Sequence, residues 1–376
     1  MKNNNERLGI YLHVPFCASK CQYCDFYSFA GSAAQMERYV DSMCREIQRT
    51  APVFAERAVD TVYFGGGTPS LIGGKRISTL LQAVRAEFCV MEDAEITVEC
   101  NPDSMGDDLL SALKEAGVNR LSIGVQSAHD DELRMLGRRH TFAQAEQAVL
   151  RAKRAGFENI SLDLMYGLPE QTEERFLQSV HALLKLEPAH LSCYSLKLES
   201  GTPMAEQNPV LPDGDTQAEL YLKLCATLEK AGYLHYEISN WAKPEKHSRH
   251  NSRYWKQSDY LGFGPSAHSC IAGKRFAYTD DLEEFCTAPQ TVEEEAVAGF
   301  PPHAEYLMLC LRTSDGISVR AFEEKFNRSF APYAVKLRAL QAAGLTRQTT
   351  EGWRLTDAGF LVSNLIITDT LSVDDQ

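Results

Sequence analysis

Six short runs rich in β-branched and aromatic residues recur along the first half of the chain, each separated from the next by a helical pattern. They are Gly9–Val14, Val59–Phe64, Glu95–Cys100, Arg120–Val125, Asn159–Met165 and His190–Lys197. Between them, Met36–Arg49, Arg76–Phe88, Phe142–Ala155 and Glu173–Leu186 place apolar residues at a period of 3.6. Glycine follows the last periodic residue in Lys114-Glu115-Ala116-Gly117 and Lys153-Arg154-Ala155-Gly156, as expected at helix ends. Six strand–helix alternations demand parallel strands joined by right-handed crossovers, in a barrel or an open doubly wound sheet. The unusual residues choose between these. Every run ends in polar or glycine-rich sequence: a cysteine cluster, Gly65-Gly66-Gly67-Thr68-Pro69, Glu99-Cys100-Asn101-Pro102, Gln126-Ser127, Tyr166-Gly167-Leu168-Pro169 and Lys197-Leu198-Glu199. Only a barrel focuses all its βα loops on one mouth. The expectation is an α/β fold with a partial (β/α)6 TIM-like barrel.

Cys17-x3-Cys21-x2-Cys24, directly after the first run, puts three thiols on one tight loop. Thiolates suit zinc or an iron–sulfur cluster. A structural zinc would want a fourth ligand, for which His13 is the nearest candidate. A four-iron cluster held by three cysteines keeps one iron open for a ligand. Spacing alone leaves iron–sulfur, zinc and unrelated thiols open. The other eight of the chain's 11 cysteines are scattered and read as small buried hydrophobes, Cys100 excepted because Glu99 and Asn101 flank it at the mouth.

After about residue 210 the pattern changes. Gln217–Ala231 reads as a helix, Tyr233–Ile238 as a strand and Lys246–Tyr260 as a loop rich in histidine and aromatics. Beyond Pro301-Pro302 come two helices and then Trp353-Arg354-Leu355-Thr356 with a turn, a winged-helix-like order. The expected division is 1–235 barrel, 236–300 connecting region and 301–376 winged-helix-like domain. Such domains often bind DNA, but residues 301–376 hold 8 Lys+Arg against 9 Asp+Glu, and the candidate recognition helix Pro332–Ala343 carries only Lys336 and Arg338. The whole chain, with 38 Lys+Arg and 51 Asp+Glu, has a formal charge of −13. Nucleic acid is therefore not an expected partner, because phosphate neutralisation needs clustered cations. No run of about 18 apolar residues is present, and the N-terminus lacks the apolar stretch of a signal peptide, so a cytoplasmic location is expected.

The cysteine spacing, flanked by Tyr11-Leu12-His13-Val14-Pro15-Phe16, resembles the radical S-adenosylmethionine (SAM) superfamily. Gly65–Ser70, Glu99–Pro102, Gly124–Ser127, Asp163–Pro169 and Gly262–His268 resemble its coproporphyrinogen dehydrogenase branch, in order and over nearly the whole chain. The resemblance implies a 4Fe-4S cluster on Cys17, Cys21 and Cys24, whose open iron chelates SAM and supplies the electron that cleaves it. It further implies SAM contacts from Tyr11, Tyr23, Gly66, Gly67, Thr68, Glu99, Gln126, Arg138, Asp163, Lys197 and His268. The residue types fit: glycines let main chain approach a ligand, carboxylates accept from ammonium or ribose hydroxyls, and Arg138 can pair with a carboxylate.

The dehydrogenase carries a further cysteine two positions after the third. Here that position is Phe26, and the Cys24-Asp25-Phe26 ending resembles the HemW-type heme chaperones. His250-Asn251-Ser252-Arg253-Tyr254-Trp255 matches the His-Asn-x-x-Tyr-Trp motif those chaperones carry for heme, which implies heme contacts from His250, Asn251, Tyr254 and Trp255. His250 would be an axial ligand, with His247 a nearby alternative, and Arg249, Arg253 and Lys256 would pair with propionates. The implied function is a carrier that binds heme, a 4Fe-4S cluster and SAM and delivers heme to a respiratory or membrane hemoprotein. A flavodoxin- or ferredoxin-like reductant is implied too, with a homodimer as an option and membrane contact only through a partner. The alternative is a radical SAM enzyme acting on a porphyrin, either a coproporphyrinogen III dehydrogenase, which the loss of the thiol at Phe26 disfavours, or a heme-modifying methyltransferase.

Overall fold

The computed structural model describes residues 7–293 and 301–375. The N-terminal residues 1–6, on which the signal-peptide expectation bears, lie outside the described residues, as do 294–300 and 376. The chain folds as two compact units. Among described residues the first takes 7–212, 248–253 and 258–293, and the second takes 213–247, 254–257 and 301–375.

The six expected strands are present as β1 (Arg7–Val14), β2 (Ala58–Gly66), β3 (Cys89–Cys100), β4 (Arg120–Gln126), β5 (Asn159–Tyr166) and β6 (His190–Ser195). They lie parallel and side by side in chain order. β6 is shorter than expected, so Lys197 leaves the strand and stands in the following loop. The helices match the periodic stretches within a few residues. Ala33–Thr50 and Phe142–Arg154 are each opened by a capping box, from Ser32 and Gln35 and from Thr141 and Gln144.

Strand residues alternate in chemistry as well as direction. Leu8, Ile10, Leu12 and Val14 of β1, Val62 and Phe64 of β2, Ile96 and Val98 of β3, and Leu121 and Ile123 of β4 form a fully buried apolar set. The intervening residues are polar, and they meet one another across strands. Tyr63 Oη donates to Glu99 Oε1 at 2.7 Å, Ser122 Oγ to Asp163 Oδ1 at 3.3 Å, and Ser161 Oγ pairs with His190 Nδ1 at 2.7 Å. One face of the sheet is thus apolar and the other is a buried polar lumen. Six strands laid flat would span about 24 Å at ~4.8 Å each. Yet residues of β2–β6 and the loop after β1 line a single cavity, and the Met204 N–H after β6 donates to the Gln22 carbonyl after β1 at 2.9 Å. The sheet is curled into the partial barrel that the sequence predicts.

Three expectations are corrected. The span 236–300 is not a separate connecting region. Tyr260–Phe263 joins the outer edge of β1 in parallel, and His268–Ile271, Lys274–Tyr278 and Thr291–Glu293 extend the sheet in antiparallel fashion. Within Lys246–Tyr260, read as a loop, a short helix spans Arg249–Trp255. The barrel also ends before residue 235. Helix Gly214–Lys230 and hairpin Leu234–Glu237 with Asn240–Ala242 belong to the second unit, where Ser314 N donates to the Tyr236 carbonyl at 2.9 Å and Ile238 N to that of Arg312 at 3.0 Å. Periodicity shows that a helix has an apolar face, not what that face packs against. The rest of the second unit is winged-helix-like: helices Val319–Phe326 and Ala331–Gln341, then strands Thr346–Gln348 and Gly352–Leu355 with Ile317–Ser318 on the far side. Among the described residues no helix is long and apolar enough to cross a membrane.

Candidate SAM and iron–sulfur site

At the C-terminal ends of β1–β6 lies a cavity of about 440 Å³, within the range of small-molecule sites. Cys17, Cys21 and Cys24 form part of its wall, each partly exposed. Their loop is fixed from behind. Gly67 N–H donates to the Val14 carbonyl and Thr68 N–H to that of Phe16, both at 2.8 Å. A Cβ on Gly67 would stand 2.8 Å from the Phe16 carbonyl oxygen and 3.0 Å from Cys17 Sγ, so only glycine fits there. Thr68 Oγ1 lies 3.5 Å from Cys17 Sγ, and Arg138 Nη1 lies 3.4 Å from Cys21 Sγ. Burial raises the Cys24 thiol and the Tyr23 hydroxyl above their ordinary values. Three sulfur donors bordering a ligand-sized cavity, with a guanidinium against one of them, fit a cluster that keeps a coordination position open.

The opposite wall is acidic and polar. Burial pushes the Glu99 carboxyl up to about 7, against the bonds it accepts from Tyr63 Oη and, at 3.2 Å, from the Gly66 N–H. Burial likewise pushes Asp163 up to about 6, against Ser192, Arg120 and Ser122. Arg138 is positioned by two further bonds, to Asn101 Oδ1 at 2.7 Å and to the Gly124 carbonyl at 2.8 Å, and Asn101 Nδ2 donates to Thr68 Oγ1 at 3.2 Å. Gln126 closes β4 with φ of 72°, a left-handed conformation rare for a side chain of this type, where the register with β5 slips. Such strain gathers at functional sites.

Of the eleven residues expected around SAM, nine line this cavity: Tyr23, Gly66, Gly67, Thr68, Glu99, Gln126, Arg138, Asp163 and Lys197. Two do not. Tyr11 lies in the lumen, stacked on Tyr63 at 6.1 Å, with its hydroxyl 3.1 Å from His13 Nδ1. His268 begins the antiparallel extension of the sheet and is exposed. Sequence reasoning did not assign Ser122, Tyr194 and Ser195 to the wall; for Tyr194 and Ser195 the end of β6 was the available signal, whereas Ser122 lies inside β4. Cys100 does line the cavity, its buried thiol pushed up to about 12. Phe26 stands at the lip, 63% exposed, with Tyr194 at 43%.

The heme motif is placed differently from an open ligand site. His250 is 0% exposed. Its Nδ1 lies 2.9 Å from Thr61 Oγ1, its ring stacks on Tyr63 at 5.1 Å, and burial depresses its pKa to about 3. Glu95 accepts the backbone N–H groups of Arg249 and His250, both at 3.0 Å. Arg253, expected at a propionate, is buried against Asp60 and donates to Thr61 Oγ1 and the Asp259 carbonyl. Asn251, Tyr254 and Trp255 are partly exposed on the same helix. The segment Ser248–Arg253 therefore packs into the lumen, below the Tyr63–Glu99 layer.

Residues 11–183 match the family model described as the radical SAM superfamily, and 304–362 match the HemN C-terminal domain. The protein "Heme chaperone HemW" of Lactococcus lactis subsp. lactis (strain IL1403) is 34% identical over 362 residues, 94% of each chain. Its namesake in Escherichia coli (strain K12) is 40% identical over 265 residues, 70% of each chain. Among solved structures, coproporphyrinogen III oxidase (HemN) from Escherichia coli, described as a radical SAM enzyme, superposes with a TM-score of 0.85 at 25% identity, covering 98% of this chain and 91% of that one.

Proposed function

The chain belongs to the HemW family of radical SAM proteins, and from that premise we propose that it is a heme chaperone, taking heme as cargo and delivering it to a respiratory or membrane hemoprotein. Membership implies a 4Fe-4S cluster and SAM. The observation that carries the reading is the cavity lip, where Phe26 presents an exposed ring at the position of the dehydrogenase branch's further thiol. Kinship with HemW along 94% of both chains agrees.

Cys17, Cys21 and Cys24 would hold the cluster, which when bound to SAM supplies one-electron reducing chemistry. The other wall residues bind and orient. Gly66, Gly67 and Thr68 bring main chain against the ligand, and Glu99 and Asp163 accept from its ammonium or ribose hydroxyls. Arg138, held at its far end by Asn101 and the Gly124 carbonyl, sets the electrostatics beside Cys21. Tyr23, Gln126 and Lys197 complete the ring of contacts.

Heme ligation by His250 requires the segment Ser248–Arg253 to leave the lumen. The move breaks the Thr61 bond and two bonds to the Glu95 carboxylate. Bonds to a charged group are worth ~1.5–3 kcal/mol each, so the open form is a minor population and heme uptake is slow. The test is to add heme to anaerobically reconstituted protein without SAM and record the Soret band, then to add SAM and follow the band and 5′-deoxyadenosine together. A bound Soret spectrum that His250→Ala weakens is expected. An unchanged spectrum in that variant reassigns the ligand to His247, and vinyl products from coproporphyrinogen III would sink the carrier reading in favour of the enzyme.

A further inference from the structure

The second unit contains a convergence of donors that neither the barrel site nor the heme motif uses. Cys225 on helix Gly214–Lys230, His235 on strand Leu234–Glu237 and Asp357 in the first turn of helix Asp357–Leu361 bring a thiol, an imidazole and a carboxylate within 4.8 Å of one another. Cys225 Sγ is 4.0 Å from His235 Nδ1, and that nitrogen is 2.8 Å from Asp357 Oδ1. In a tetrahedral zinc site the corresponding donor separations are about 3.6 and 3.4 Å, from bond lengths of ~2.3 Å to sulfur and ~2.0–2.2 Å to nitrogen and oxygen. Rotamer adjustments of about half an ångström close both differences.

The imidazole is held as ligating histidines are held. Trp241, fully buried, stacks on one face at 4.2 Å and 12°, and Phe360 meets the ring edge-on at 4.9 Å. Tyr221, one helical turn before Cys225, donates its hydroxyl proton to the Ile238 carbonyl at 3.0 Å and stands 3.4 Å from His235 Nε2. That hydroxyl can accept Nε2–H, and the tautomer so formed turns the lone pair of Nδ1 to the thiol and the carboxylate. In that tautomer Nδ1 and Oδ1 are two acceptors facing each other at 2.8 Å, and a metal ion between them takes the place of the Nδ1 proton that otherwise bridges the pair. Donor softness favours the metal, since a thiol, an imidazole and a carboxylate together suit zinc. Asp357 is 47% exposed at its side chain while His235 is 10% exposed, so ions can enter from the carboxylate side.

We propose that Cys225, His235 and Asp357 form a divalent transition-metal site of the zinc class, with a fourth corner open to water. Binding displaces the thiol proton to solvent and exchanges the His235–Asp357 hydrogen bond for two metal bonds, with no change of oxidation state. The ion clasps a helix, a strand and the start of a later helix within the second unit.

The test uses protein already carrying its iron–sulfur cluster, so that Cys17, Cys21 and Cys24 are occupied, titrated anaerobically with Co2+. One equivalent is expected to give a sulfur-to-cobalt charge-transfer band that Zn2+ abolishes. Cys225→Ala should remove the band, Cys310→Ala should leave it unchanged, and Asp357→Asn should weaken binding by about tenfold or more. Absence of the band in the unaltered chain overturns the proposal, as does undiminished Co2+ affinity in folded Cys225→Ala. If Cys225→Ala does not fold, Asp357→Asn decides: unchanged affinity reduces the cluster to a hydrogen-bonded His–Asp pair.

Discussion

Glu99 offers the sharpest check on the electrostatics of the SAM wall. Its carboxyl titrates near 7 in the folded chain, against about 4.3–4.5 when unfolded, because burial penalises its charge more than Tyr63 and the Gly66 N–H relieve it. The folded value lies above the unfolded one. This carboxyl therefore costs the fold nothing below about pH 4.5, and the cost grows as pH rises towards 7. With those two values the cost is about 2 kcal/mol at pH 6 and about 3.3 at pH 8, a difference of about 1.3 kcal/mol. Partial contact with the open cavity reduces the expected difference to about 1 kcal/mol. Glu99→Gln removes the titration. The amide still accepts from Tyr63 but turns a donor towards the Gly66 N–H, a loss that does not depend on pH. The quantity to measure is thus the change in ΔΔG between pH 6 and pH 8, from urea denaturation of wild type and variant without ligand. Relative to wild type, the variant should gain about 1 kcal/mol between those two pH values. An equal ΔΔG at both would mean that Glu99 does not titrate between pH 6 and pH 8, and the value near 7 would fail. The same titration governs the ligand, since a neutral carboxyl cannot pair with an ammonium. Between pH 8 and 6, SAM affinity should fall by up to about tenfold per unit below pH 7 in wild type and change less in the variant, where Asp163 alone titrates, near 6.

Two further substitutions separate structure from binding. Gln126→Gly relieves a left-handed backbone and should stabilise the chain by about 1 kcal/mol in thermal denaturation while weakening SAM binding in equilibrium dialysis; a loss of stability would mean that the side chain's packing outweighs its strain. Tyr63→Phe keeps the ring on His250 and removes the donor to Glu99. It should leave heme affinity without SAM within about twofold and shrink the effect of saturating SAM on heme affinity; an undiminished effect would place the coupling elsewhere.

Much of the barrel was legible because its strands are buried on both faces. β2 to β5 end within two residues of their apolar runs, and the polar residues past those ends reach a common cavity. Nine of eleven expected SAM positions follow from that rule, since a strand's C-terminal end is a place in space as well as in sequence. Tyr11 and His268 depart from it, each for its own reason. Tyr11, like Asp163, stands three residues before the end of its strand, but its ring packs on Tyr63 and its hydroxyl meets His13 instead of the cavity; His268 begins a strand rather than ending one. The heme motif was legible as chemistry and opaque as placement. His250 and Arg253 are three apart, so a helix sets both on the same face, and that face meets Asp60, Thr61 and Glu95. Nothing local distinguishes an inward helical face from an exposed loop when the partners lie some 155 to 193 residues away. The boundary of the second unit was missed for the same reason. Asp357 lies 122 residues beyond His235, and only the fold brings it to Cys225 and His235.

The placement of His250 bears on how a SAM site and a heme motif serve one protein. Tyr63 touches both: its ring lies on His250 at 5.1 Å and its hydroxyl binds Glu99 at 2.7 Å. Withdrawal of His250 to meet heme would take away the surface on which Tyr63 is stacked. The hydroxyl that holds Glu99 would then lose its fixed position, and Glu99 forms part of the wall proposed for SAM. Conversely, a cation bound at Glu99 ionises the carboxyl, strengthens the Tyr63 bond and fixes the ring that keeps His250 in place. Occupancy of the mouth and exposure of the histidine therefore bias one element in opposite directions, and linkage requires each ligand to weaken the other by the same factor. A heme carrier of the proposed kind, wired in this way, would hold heme while the SAM cavity is empty and release it when the cavity fills. That order suits delivery, because it ties the loss of cargo to a binding event at the opposite end of the barrel.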